Sequence, residues 1–145
     1  MIKKIRQGFT LIEAMITLSI FSILAAVAYP NYTESVKRSA RADTKSALLE
    51  NVQYLERNLT TNNCYHRTDG NCADLTSNIT LPTTQSPKTG EVKYNISFQS
   101  ISANSYTLRS VPTGTNATDK CGTFTITQAG QRGIIGGTGD TTSCW

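Results

Sequence analysis

The chain has 145 residues and a mass of 15.8 kDa, with 38% hydrophobic and 17% charged residues, and Thr and Ser together supply 35 positions. That composition excludes a disordered acidic tail, a coiled coil and a multi-span membrane protein. The net charge of +4 rests largely on Lys3, Lys4 and Arg6: without them the 14 basic residues become 11 against 10 acidic ones, or +1, so overall charge does not point to nucleic acid.

Residues 1–8, MIKKIRQG, form a short basic leader. The stretch from Phe9 to Tyr29 is apolar apart from Glu13. As a helix, its 21 residues span about 31 Å, the thickness of a bilayer core. The preceding positive charges keep that end cytoplasmic and send the rest of the chain outside. Tyr29-Pro30-Asn31 is a poor small-residue cleavage site, so an ordinary signal peptide fits badly. A carboxylate inside such a run is costly and marks a function.

Gly8-Phe9-Thr10-Leu11-Ile12-Glu13, after a basic leader and before an apolar helix, resembles the class III signal of type IV pilins and pseudopilins. The resemblance implies cleavage between Gly8 and Phe9 by a membrane-embedded prepilin peptidase, followed by N-methylation of Phe9. It makes Glu13 the acidic residue of filament assembly and Pro30 the helix-bending proline. Ala14 and Ser22 depart from the Leu and Gly often found there. Physically, the Glu13 carboxylate of one subunit and the Phe9 amine of the next neutralise each other and fix the stagger between them.

Beyond Pro30 the pattern turns amphipathic. Tyr32, Val36 and Ala40 step by four, and Leu48, Val52, Leu55 and Leu59 continue the apolar stripe. A helix from Phe9 to about Leu59 has 51 residues and a length of about 77 Å. Lys37, Arg38, Arg41 and Lys45 form a basic cluster that fits lipid or DNA phosphates, or a solvated inter-subunit face. Asn58 to Asn63 ends the helix, and residues 60–91 read as a connecting loop with a turn at Asp69-Gly70-Asn71.

The period then becomes two. Val92, Tyr94, Ile96 and Phe98 alternate with polar residues, as do Tyr106 and Leu108, then Phe124 and Ile126. A short fourth strand is expected near Ile134-Ile135. Short links imply an antiparallel meander packed on the helix stripe, hence an α+β fold. Four cysteines in a small Thr/Ser-rich chain favour an oxidising compartment and allow three pairings. Closure of local loops favours Cys64–Cys72 and Cys121–Cys144. A zinc set of Cys64, His66 and Cys72 lacks a fourth ligand.

Tyr106-Thr107-Leu108, Asp119-Lys120-Cys121-Gly122, Gly130-Gln131-Arg132-Gly133 and Cys144-Trp145 resemble the PilE-type minor pilins. The implied division is a leader, 1–8; a membrane and filament-core helix, 9–30; and an extracellular head, 31–145, made of an amphipathic helix, 31–59, a loop, 60–91, and a meander with a C-terminal loop, 92–145. The implied partners are other pilin subunits, the prepilin peptidase, the inner-membrane assembly platform and the membrane itself. The implied roles are filament initiation, adhesion, twitching motility and DNA uptake. A secretion pseudopilin and a DNA-receptor pilin stand as alternatives. Around the single histidine no catalytic triad can be assembled, and the glycines between Gly130 and Gly139 lack the lysine of a phosphate loop. The expectation is a structural protein without cofactor or metal.

Overall fold

The computed structural model describes residues 9–145. The leader, including Gly8, lies outside the described residues. The chain divides into two compact units, one ending at Val36 and one formed by Lys37–Trp145. A helix, α1, Leu11–Asn62, contributes to both.

In the first unit, α1 begins on a polar cap. The amide of Glu13 donates to Thr10 Oγ1 at 3.3 Å, the Thr-x-x-Glu spacing of a capping box. The hydroxyls that interrupt the apolar run are spent on the helix itself: Thr17 Oγ1 donates to the Ala14 carbonyl, Ser19 Oγ to that of Met15 and Ser22 Oγ to that of Leu18, at 2.8–2.9 Å. The large apolar side chains all face outward, from Phe9 to Val27. One window reaches a mean hydropathy of 2.2, making α1 long and apolar enough to cross a membrane. Pro30 lies inside α1, where it removes one backbone hydrogen bond without ending the helix.

In the second unit, α1 ends at Asn62, within the stop signal of residues 58–63, with Asn63 in the left-handed region at φ 58°. Five strands follow: β1, Gln85–Ser86; β2, Tyr94–Ile101; β3, Tyr106–Pro112; β4, Thr123–Thr127; and β5, Arg132–Ile135. They form one antiparallel sheet in chain order. A short helix, α2, Thr141–Cys144, closes the chain, with the Asp140 carboxylate accepting from the amide of Ser143. The long helix against an antiparallel meander is the expected α+β architecture. The structure pairs Cys64 with Cys72 and Cys121 with Cys144.

Three details differ from the sequence pattern. Residues 60–91 are not all loop, because they contain β1. Two residues carry no readable period. β1 pairs with β2, and the chain leading into it is held by Asn51 of α1, whose side-chain amide donates to the Thr83 carbonyl at 2.7 Å and accepts from the Thr83 amide at 3.2 Å. Next, the buried face of α1 is Ala40, Arg41, Thr44, Ala47, Leu48, Asn51, Leu55 and Asn58. Leu48 and Leu55 are fully buried, whereas Val52 and Leu59 are only partly so and Tyr32 and Val36 are exposed. Finally, β2 carries a bulge between Phe98 and Ser100: Phe98 keeps the inward phase of Tyr94 and Ile96 and packs against the core but is only half-buried, and the register shifts beyond it. Tyr94, Ile96, Tyr106, Leu108, Phe124 and Ile126 supply the inner sheet face.

Candidate functional site

Two sets of residues carry candidate chemistry, one in each unit. In the first, Phe9 lies two residues before α1, Glu13 in its first turn and Pro30 in its interior. Glu13 lies in the first turn, where the helix dipole favours a negative charge. Phe9 is 80% exposed.

In the second unit the basic cluster splits. Arg41 turns inward: Nε lies 3.0 Å from both oxygens of Asp119 and Nη2 lies 2.9 Å from Oδ2. Both side chains are almost entirely buried, which makes this pair structural. Asp119 also accepts from the amide of Cys121 at 2.8 Å, tying α1 to the Cys121–Cys144 bridge. Tyr94 lies alongside with its hydroxyl buried. Burial, followed by the charge of Asp119, pushes its pKa up to about 12.

Lys45, one turn further along, remains half-exposed. Its ammonium donates to the Trp145 carbonyl at 3.3 Å and sits 5.9 Å above the Phe124 ring. Burial, then the like charges of Arg41 and Arg132, lowers its pKa. Arg132 of β5 places its guanidinium 5.4 Å from the Trp145 ring, whose Nε1 donates to the Gly133 carbonyl at 2.8 Å. Lys45, Arg132 and Trp145 thus form a basic surface with an aromatic floor. Arg132 and Trp145 were separated from the helix cluster by about ninety residues of sequence, and only the meander brings them together. Arg38 is exposed and Lys37 half-exposed on other turns of the helix.

Around Cys64–Cys72 the polar groups serve the loop. Arg67 is buried and bridges Asp69 and Asp74, while Asn58 Nδ2 donates to the carbonyls of Cys64 and Arg67. His66 is buried, with Nε2 2.7 Å from the Asp74 carbonyl. The disulfide removes Cys64 and Cys72 as thiolate ligands, so the zinc set does not assemble.

Comparison with known proteins adds three findings. Residues 3–29 match the family model of the prokaryotic N-terminal methylation motif, and residues 30–125 match that described as type IV minor pilin ComP, DNA uptake sequence receptor. Fimbrial protein EcpC of Eikenella corrodens is 49% identical over 43 residues, 30% of this chain and 28% of that protein. Type IV major fimbrial protein FimA of Dichelobacter nodosus is 41% identical over 58 residues, 35% of this chain and 36% of that protein. The similarity thus spans about a third of these curated relatives. Among solved structures, the non-core minor pilin PilV of Neisseria meningitidis aligns with a TM-score of 0.51 at 18% identity, covering 74% of this chain and 94% of that one. That likeness shows the fold.

Proposed function

This chain belongs to the ComP family of type IV minor pilins, and from that membership we propose that it is a pilus-displayed receptor for duplex DNA during uptake. The match of residues 30–125 to a family described as a DNA uptake sequence receptor carries the reading. The surface made by Lys45, Arg132 and Trp145 supports it: two cations for phosphates, beside a ring with a π-face for bases or sugars.

The route to the surface is part of the proposal. The precursor is held by α1 in the inner membrane, cut between Gly8 and Phe9 by the prepilin peptidase, and methylated on Phe9. The assembly platform then passes it to a filament of other pilins, with Glu13 meeting a neighbour's Phe9 amine. The proposed boundaries are a leader of 1–8, a core helix of 9–30 and a head of 31–145. Adhesion and twitching motility belong to the fibre rather than to a site on this chain.

Binding of the full chain, in detergent, to duplex DNA is the test. The affinity should fall steeply with salt, and Arg132→Gln or Lys45→Gln should each flatten the slope of log K against log salt by about 1. Salt-independent binding, or slopes unchanged by both substitutions, would refute the DNA reading. Family membership would still stand.

A further inference from the structure

The turn that follows the Cys64–Cys72 loop displays Leu75, which is 93% exposed. A singly exposed leucine is ordinary on a protein surface. This one is singled out by the rigidity of its setting. Arg67 Nη1 donates to Asp74 Oδ2 at 2.7 Å, to the Thr76 carbonyl at 2.8 Å and to Thr76 Oγ1 at 3.1 Å. The Thr76 amide donates to Asp74 Oδ1 at 2.9 Å, and His66 Nε2 lies 2.7 Å from the Asp74 carbonyl. The residues on both sides of Leu75 are therefore fixed before any partner arrives, which removes much of the ordering cost of docking. Arg67 faces two carboxylates, Asp69 and Asp74, so the turn carries one net negative charge. That sign disfavours a phosphate-bearing partner and favours a protein socket with a positive rim.

Such a socket exists on the same unit. A cavity of about 250 Å³ is lined by Glu50, Gln53, Tyr54, Arg57 and Pro82. The Tyr54 ring and Pro82 give it apolar walls. Glu50 is already paired with Lys88 at 2.7 Å, whereas Arg57 is exposed with no ion-pair partner among the described residues. With Glu50 engaged by Lys88 from outside the cavity, Arg57 is the uncompensated charge among its lining residues. Leu75 does not fill this cavity in its own chain, being exposed.

We propose that Leu75 of one copy inserts into the Tyr54–Arg57–Pro82 cavity of a second copy, with Asp74 and Asp69 facing Arg57. Knob and socket are different surfaces, so the contact is heterologous and can repeat from copy to copy without closing. It does not depend on DNA binding.

All four native cysteines are in disulfides, so Leu75→Cys introduces a single free thiol. The full chain carrying Leu75→Cys is labelled with a thiol-reactive benzophenone in membranes and irradiated. Cross-linked peptides are then mapped by mass spectrometry. The expected product is a dimer linked to Gln53–Arg57 or Pro82. Arg57→Glu should lower its yield about tenfold, and Arg57→Lys should largely preserve it. Both positions are exposed, so neither substitution disturbs the core, and the intact mass of the non-reduced chain checks that both native bridges remain. Absence of a dimer, a link elsewhere on this chain, a link only to another protein, or a yield indifferent to Arg57→Glu would overturn the proposal. Salt-dependent DNA binding of the same preparation would be untouched by that outcome.

Discussion

Asp119 shows how one buried side chain joins distant parts of the head. Its carboxylate meets Arg41 from the helix and the amide of Cys121 beside a disulfide. Asp119→Ala leaves the Arg41 charge buried without that partner and should cost about 3–5 kcal/mol, read as a lowered midpoint of thermal or urea unfolding. Arg41 read as part of a surface basic cluster, because a sequence period places a residue on a helix face without revealing which loop will cover that face. Glu13 is the converse case. It lies among exposed apolar side chains, so Glu13→Val should leave folding and leader removal intact while cutting incorporation into sheared filaments severalfold. Wild-type levels in the fibre would remove its assembly role. Asp69 and Asp74 report on pH. The Arg67 guanidinium holds Asp69 well below the usual carboxylate range, and the amide of Thr76 lowers the pKa of Asp74. Depressed folded pKa values contribute stability above the ordinary carboxylate pKa, near 4, that is lost as pH falls below it. Amide protection at Asn71 and Thr76, which donate to these carboxylates, should therefore decline below about pH 4 and not on raising the pH from 5 to 8.

At the scale of elements, the parts with strong local signals were the legible ones. The apolar run, the amphipathic helix and the alternating strands β2, β3 and β4 all announce themselves through periods of 3.6 or 2. β1 did not, because two residues carry no period; the strand is placed by its pairing with β2 and by Asn51, which holds the preceding Thr83. The basic and aromatic surface was legible only in halves, since Lys45 and Arg132 become neighbours through the whole meander. The loop glycines follow steric rules that are visible only in the fold. A Cβ on Gly122, at φ +60°, would lie 2.5 Å from the Ile135 carbonyl oxygen and 2.6 Å from the amide nitrogen of Gly137. Gly122→Ala therefore faces both a left-handed backbone and backbone atoms that cannot swing aside, and should destabilise the head by about 2 kcal/mol or more in the same unfolding assay. The two disulfides should also separate chemically. Cys72 is partly exposed, whereas Cys121 and Cys144 are buried. A graded thiol titration followed by alkylation should open Cys64–Cys72 first, and simultaneous loss of both bridges would contradict this order.

At the scale of the whole molecule, the two units answer to different surroundings. The head, Lys37–Trp145, carries its own aromatic and aliphatic core and both disulfides, the usual means of stabilising a small domain. Among the described residues, the unit ending at Val36 has no such core, and its apolar side chains require lipid or other pilin helices. The family supplies both: a membrane-anchored precursor and an extracellular pilus. The proposed DNA-receptor role would give the head a task beyond filament structure.

The hydroxyls of Thr17, Ser19 and Ser22 have a consequence for movement between those surroundings. Each is already bonded to a carbonyl of its own helix. Leaving lipid for a protein neighbour, or returning, therefore requires none of them to exchange partners. These hydroxyls can change surroundings as a finished set, while the proposed pairing of Glu13 with a neighbour's Phe9 amine is bonding that assembly would renew. A helix of this kind suits passage from the precursor's membrane to a pilus of other pilins without repacking these hydroxyl groups.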